Sequence, residues 1–333
     1  MKIPATVITG FLGAGKTTLI RHILENANGR RIAMIINEFG DLGIDGDLIN
    51  SCGIEGCDDG DVVELANGCI CCTVADEFLP AMEALLNREN PPDHIIIETS
   101  GLALPKPLVK AFNWPEVRSR VTVDGVIAVI DAPAVAEGRF ADDPQTVNLP
   151  DHDNPLEEVF EDQLLCADLV ILNKADILGE VAMAEVEAGI AGNLRPGVST
   201  VRTTHGAVDL GVLLGLSAAA EDGIDLRRSH HDGEDGHDHD DFESFTVDLG
   251  DTEDPDGLEV RLAQLTTDHD ILRIKGFVHV PGKDMRHVVQ GVGPRIQRYY
   301  DRPWEPTEER RGQLVVIGQK GLDRAAIVAS LAG

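Results

Sequence analysis

The sequence predicts a doubly wound α/β domain with a mainly parallel sheet, followed by a smaller C-terminal α+β domain. Three observations carry that expectation. Short apolar runs recur between Val7 and Leu172, each bounded by polar or turn residues; helical patterns lie between them; and composition breaks near residue 227. Runs too short for a helix and apolar throughout read as strands buried on both faces. Strands alternating with helices build a parallel sheet.

Val7–Thr9 closes the first strand, and Gly10–Thr17 leads into a helix carrying Leu19, Ile20, Ile23 and Leu24 on one stripe. Arg31–Ile36 is a second strand, followed by a Gly/Asp-rich loop from Asn37 to about Asp61. His94–Ile97, Gly125–Ile130 and Leu169–Leu172 are further strands, with helices over Glu77–Asn87 and Glu157–Cys166. These elements fill a first domain, residues 1–226. Residues 227–241, ending in HHDGEDGHDHDD, have no hydrophobic periodicity and read as a solvated His/Asp-rich linker. In the last domain, 242–333, strands are expected at Phe242–Val247, Ile271–Val280, Met285–Val289 and Leu314–Gly318. Helices are expected at Leu258–Leu265 and Leu322–Leu331.

The chain has 333 residues, 58 acidic against 28 basic, for a net charge of −30. That balance excludes a nucleic-acid-binding surface and a polybasic membrane anchor, both of which need clustered Lys and Arg. The charge is concentrated: residues 38–64 hold nine acids and no Lys or Arg, and 230–241 hold six. No stretch is apolar and long enough to span a bilayer, and the N-terminus lacks a signal-peptide core. A cytoplasmic protein is expected.

Gly10-Phe-Leu-Gly13-Ala14-Gly15-Lys16-Thr17 matches G-x-x-x-x-G-K-[ST] between a strand and a helix. Glycines let backbone N–H groups close around phosphates, and the helix N-terminus adds a favourable field. Gly10, Gly13, Ala14, Gly15, Lys16, Thr17 and Thr18 are therefore candidate nucleotide-binding residues. Lys16 is aimed at the β/γ-phosphates and the Thr17 hydroxyl at Mg²⁺. Asn173-Lys174-Ala-Asp176 follows another apolar strand. A carboxylate there can accept from guanine N1–H and the 2-amino group, donors that adenine lacks, which favours GTP over ATP. Glu98 ends a third strand, where an acid organises Mg²⁺; Lys16 and Glu98 are the candidate catalytic residues. Glu38, Asp41 and Asp45 fall where a switch loop belongs.

Six cysteines are present, and Cys69, Cys71 and Cys72 fall within four residues. Soft thiolates favour Zn²⁺, Cu⁺ or a tetrahedral Co²⁺ site. In an extended segment Cys69 and Cys71 face one side and Cys72 the other, so all three reach one ion only if the chain turns, which Gly68 permits. Glu38 is a candidate fourth ligand. A redox thiol cluster and structural cysteines are the alternatives. His230, His231, His237 and His239 are weak accessory metal ligands in the acidic tract. Cys166 reads as a core residue, and His22, His279 and His287 as structural.

Taken in order, ITGFLGAGKTTL, NEFGDLGID, NGCICC, ETSGLA and NKAD resemble the CobW-type metal-chaperone GTPases, relatives of the nickel-inserting urease and hydrogenase accessory GTPases. HDNPLEEVFEDQLLCADLVILNKAD and KGFVHVPGKDMRHVVQGVGPRI look like the branch that serves cobalamin biosynthesis. The resemblance spans nearly the whole chain. It implies GTP hydrolysis, Lys16 and Thr17 on phosphate and Mg²⁺, Glu98 at the acidic strand end, Asn173 and Asp176 on guanine, and Cys69, Cys71 and Cys72 on metal. It further implies Co²⁺ delivery toward a cobaltochelatase, with a metal-dependent homodimer as a possible assembly. The same machine serving Zn²⁺, and a non-catalytic metal buffer, are the alternative functions.

Overall fold

A computed structural model describes residues 2–37, 62–65, 78–139, 155–230, 242–269, 271–305 and 308–332. The chain divides into two compact units, Met1–Phe39 with Ile54–His237, and Gly40–Gly53 with Asp238–Gly333.

The first unit is a wound α/β sheet. Its strands are β1 (Ile3–Thr9), β2 (Ile32–Asn37), β3 (Val62–Leu65), β4 (His94–Glu98), β5 (Val121–Asp131), β6 (Leu169–Asn173) and β7 (Ser199–Arg202). They lie in the order β3-β2-β4-β1-β5-β6-β7, and every pairing is parallel. β4 and β6 are buried at every position, the consequence of helices on both faces of a parallel sheet. Helix α1 (Lys16–Glu25) buries Leu19, Ile20, Ile23 and Leu24, the stripe that its sequence spacing predicts. The helices α2 (Leu79–Leu86), α3 (Pro105–Ala111), α4 (Ala132–Ala136), α5 (Pro155–Cys166) and α6 (Glu180–Ile190) follow. Phe78, Met82 and Leu85 pack with Val7, Ile35, Ile97 and Phe112 in one core. Leu164, Val170, Leu172, Met183 and Val186 form another.

At the N-terminal ends of the strands, buried carboxylates tie down the irregular chain after β7. Asp124 accepts from the amides of Gly215, Leu216 and Ser217 at 2.6–3.1 Å. Glu221 accepts from Thr122 Oγ1 (2.6 Å) and the Val123 amide (2.9 Å). Asp168 holds both Arg195 (2.7 Å) and Arg227 (2.9 Å). Arg227 is only 5% exposed and also donates to the Cys166 carbonyl, while Lys106 donates to the Arg227 carbonyl. Ser229 and His230 are bonded to Asp162 of α5. Residues 227–230, at the head of the expected linker, are thus fixed to the first unit; 231–241 lie outside the described residues.

The second unit is an antiparallel sheet of β8 (Phe242–Leu249), β9 (Ile271–Val278), β10 (Met285–Val292), β11 (Arg295–Pro303) and β12 (Gly312–Gln319), in the order β11-β10-β9-β12-β8. Helices α7 (Pro255–Asp268) and α8 (Arg324–Ala332) pack on it. Asp254 caps α7 by accepting from Gly257 N, with Pro255 in the first turn. Leu258, Leu262, Ile274, Val289, Leu314, Val316 and Ile327 make the core. Arg286 is buried, paired with Asp301 at 2.6 Å and stacked 3.7 Å above the Phe277 ring. No helix among the described residues is long and apolar enough to cross a membrane.

Candidate nucleotide site

The C-terminal ends of β1, β4, β5 and β6 converge on the loop 10–15. That loop turns through left-handed backbone at Gly10 (φ 138°), Gly13 (φ 73°) and Gly15 (φ 102°). Space as well as conformation requires glycine at two of these. A Cβ on Gly10 would fall 2.1 Å from the Val129 carbonyl oxygen, and one on Gly15 2.2 Å from Asn173 Nδ2. The chain then enters α1 with Gly15 as its N-cap and, among the described residues, no side-chain cap. The first-turn amides are therefore left for a ligand rather than for a serine or aspartate oxygen.

Lys16 is buried, and its ammonium donates to the carbonyls of Gly10 (2.8 Å) and Phe11 (3.4 Å). Thr17 Oγ1 lies 3.4 Å from Glu98 Oε1, so the two residues predicted to share Mg²⁺ do meet. Glu98 is buried at the end of β4, beside Thr99, whose amide donates to Ile8 O and whose hydroxyl donates to Thr9 Oγ1. Thr18 is exposed on α1. Two hard oxygen donors side by side at the first turn of α1 fit Mg²⁺.

Asn173 and Lys174 reach into the loop from β6. Asn173 is 2% exposed. Its Nδ2 donates to Ala14 O at 2.9 Å, and its Oδ1 accepts from the Gly206 amide at 3.1 Å. Lys174, in left-handed backbone at φ 60°, donates to Gly13 O (2.8 Å) and pairs with Asp131 Oδ2 (2.6 Å). Asp176 is exposed on the following turn. Asn173 thus braces the phosphate loop from behind, a role that spacing alone does not reveal.

Two contributors escape the sequence reading. Asp131 ends β5, caps α4 by accepting from Ala134 N, and holds Lys174. An acid at the end of an apolar strand is the available signal, as it is for Glu98. The segment Thr203–Gly206 follows β7, and its Thr203 carbonyl accepts from Ala175 N while Gly206 holds Asn173. Nothing in TTHG announces it.

The predicted metal ligands Cys69, Cys71, Cys72 and Glu38, and the accessory His231, His237 and His239, lie outside the described residues, as do Asp41 and Asp45. Among the described residues no group of three His, Cys, Asp or Glu is placed to hold a metal ion. His230 is described, and both its ring nitrogens are engaged by carboxylates: Nδ1 with Asp162 and Nε2 with Glu161, each at 3.0 Å. It serves there as an anchor. Cys166 is buried in the core, and burial pushes its thiol up to about 11, which keeps it an unreactive thiol.

Residues 4–202 match the CobW/HypB/UreG nucleotide-binding domain. The chain belongs to that family. Residues 242–333 match the cobalamin synthesis protein cobW C-terminal domain. This CobW-family chain is 54% identical to the zinc chaperone CobW of Sinorhizobium sp, over 99% of this chain and 96% of that protein. It is 57% identical to the zinc chaperone CobW of Pseudomonas aeruginosa, over 99% and 91% respectively. The zinc chaperone YjiA of Escherichia coli is 33% identical over 99% of this chain and 98% of its own length. The CobW-family assignment accords with the loop 10–15 described above, which lies inside the matched nucleotide-binding domain.

Proposed function

We propose that this protein is a GTP-hydrolysing zinc metallochaperone. The observation that carries the nucleotide half is the braced loop, with Lys16 inside it, Thr17 against Glu98, and Asn173 and Lys174 bonded to its carbonyls. The metal half is supported by the names of the relatives at 54% and 57% identity, which are called zinc chaperones. Those names favour Zn²⁺ over the Co²⁺ that the sequence motifs suggest. Ligand chemistry favours it too, because a thiolate site binds Zn²⁺ more tightly than Co²⁺.

In this reading the loop amides and Lys16 bind the phosphates, and Asp176 accepts the two guanine donors. Thr17 and Glu98 would hold Mg²⁺, which would supply positive charge to offset that of the phosphates. Hydrolysis breaks the bond between the γ-phosphorus and the bridging oxygen and forms one to a water oxygen; the water's proton leaves with the phosphate. Cys69, Cys71, Cys72 and Glu38 hold the cargo ion in the GTP state, and hydrolysis loosens the site so that an acceptor protein takes it.

The test is a Zn²⁺ and Co²⁺ competition titration, run with Mg²⁺ in the GDP and GTP-analogue forms and repeated with Cys71→Ala and Cys72→Ala. Tighter Zn²⁺ binding in the GTP-analogue form, lost in both variants, is expected. By linkage, Zn²⁺ then tightens GTP by the same factor. Equal Zn²⁺ affinity in the two nucleotide forms would sink the switch, and Co²⁺ outcompeting Zn²⁺ would return the reading to cobalt delivery.

A further inference from the structure

The run DNPLEEVFEDQLLCADLVILNKAD contains a buried side-chain amide that the proposed machinery does not use. Gln163 sits on α5, 2% exposed. Its Nε2 donates to two main-chain carbonyls, Gly101 O at 3.2 Å and Ala103 O at 3.3 Å. Both belong to the turn that follows Glu98. That turn lies flush on the phosphate loop: a Cβ on Gly101 would come within 2.4 Å of the Leu12 side chain and 2.8 Å of its backbone nitrogen.

The segment is fastened at both ends. At the front, Thr99 is bonded to Ile8 and Thr9 of β1. At the rear, the two bonds from Gln163 hold it. Between the fastenings stands Ser100, whose buried Oγ has no hydrogen-bond partner among the described residues.

The platform under Gln163 is itself immobilised. On the same helical turn, Asp162 accepts from Ser229 Oγ (2.6 Å) and from His230 N and Nδ1 (3.0 Å each). Glu161 accepts from Asn193 Nδ2 at 2.7 Å. A donor locked on a rigid element and aimed at a catalytic turn is the arrangement that pre-positions reacting groups.

We infer that Gln163 is a positioning residue for GTP hydrolysis, holding the Glu98–Ala103 turn, with Ser100 and Gly101, against the phosphate loop. This rests on the functional reading above. Its amide is spent on two main-chain carbonyls, so its loss is expected to act on turnover rather than on ground-state binding.

The experiment compares steady-state GTP hydrolysis by full-length wild type, Gln163→Met and Gln163→Glu. Gln163→Met keeps the volume and removes both donors; kcat is expected to fall at least about tenfold with KM for GTP within about twofold. Gln163→Glu faces two carbonyls, and only its protonated form can donate. Its kcat should therefore fall as pH rises, on a profile that the wild type does not show. Hydrogen exchange at the 99–103 amides should accelerate in Gln163→Met while the core strands are unchanged.

Turnover within twofold of wild type in Gln163→Met overturns the role, as does a rise in KM matching the fall in kcat. If Gln163→Met fails to fold, the pH profile of Gln163→Glu decides, and a profile parallel to wild type overturns it. A wild-type chain with no GTP turnover overturns the hydrolysis reading itself, a result distinct from either.

Discussion

Asn173→Ala tests whether the phosphate loop is held from behind. The side chain bridges Ala14 O at 2.9 Å and Gly206 N at 3.1 Å from a fully enclosed position. Truncation strands one buried acceptor and one buried donor, each at a cost of about 1–3 kcal/mol. The two together come to roughly 3 kcal/mol, or about a hundredfold in an equilibrium constant. Both stranded groups belong to segments that shape the nucleotide site, so part of the loss appears as stability and part as affinity. We expect the Kd of a fluorescent GTP analogue to rise between about tenfold and a hundredfold, with a lower urea midpoint for the first unit. Asn173→Asp is expected to be worse, because it turns a carboxylate oxygen toward the Ala14 carbonyl. Gly15→Ala should resemble Asn173→Ala, since its Cβ would displace Nδ2 from 2.2 Å. An Asn173→Ala protein with Kd within twofold and an unchanged midpoint would refute the bracing argument.

Three further outcomes follow from the geometry. Gly10→Ala combines a φ of 138° with a Cβ 2.1 Å from Val129 O; it should abolish GTP-analogue binding in a titration, whereas Gly29→Ala, with open space around its Cβ, should bind normally. Asp168→Ala leaves Arg227 buried without its carboxylate and should destabilise the first unit by about 3–5 kcal/mol in urea. His94 is enclosed beside Thr6, and burial holds its pKa down to about 4. Between that value and the ordinary 6.5 the unfolded chain binds a proton that the folded one does not. Stability therefore rises with pH across the window, by up to about 1.4 kcal/mol per unit. Urea midpoints from pH 4.5 to 6.5 should climb less steeply in His94→Gln than in wild type, and equal slopes would remove His94 as the cause.

The parts of this molecule that announce themselves in sequence are those dictated by one local requirement. Strands buried on two faces must be apolar throughout, so β4 and β6 could be read as HIII and LVIL. The phosphate loop needs glycine where a Cβ has no room, which fixes its spacing. Elements facing solvent carry no such mark. β7 is STVR, mostly exposed, and its place at the sheet edge is set by pairing with β6. β11 is RIQRYYDRP, an edge strand whose arginines find partners elsewhere: Arg298 reaches Asp256 and Glu259 on α7, and Arg302 reaches Glu308. Within the site, Lys16, Thr17 and Glu98 come together as their motif spacing predicts. Asp131, Gly206 and Gln163 carry no such motif signal, because each is bonded to a partner distant in sequence.

The brace between Asn173 and Ala14 spans 159 positions, and the one to Gly206 lies further on. A ribosome therefore synthesises the phosphate loop well before its supports. β1, which leads into the loop, pairs with β5 more than a hundred residues later, so the central strand too waits for its neighbour. Long-range parallel pairing is slow to form, and a nascent chain stopped before Thr203 carries the whole motif with Asn173 and Lys174 but without the Thr203–Gly206 segment that holds them in place. A chain truncated before Thr203 is therefore expected to bind a GTP analogue more weakly than the full domain, because the Gly206 amide that holds Asn173 is missing.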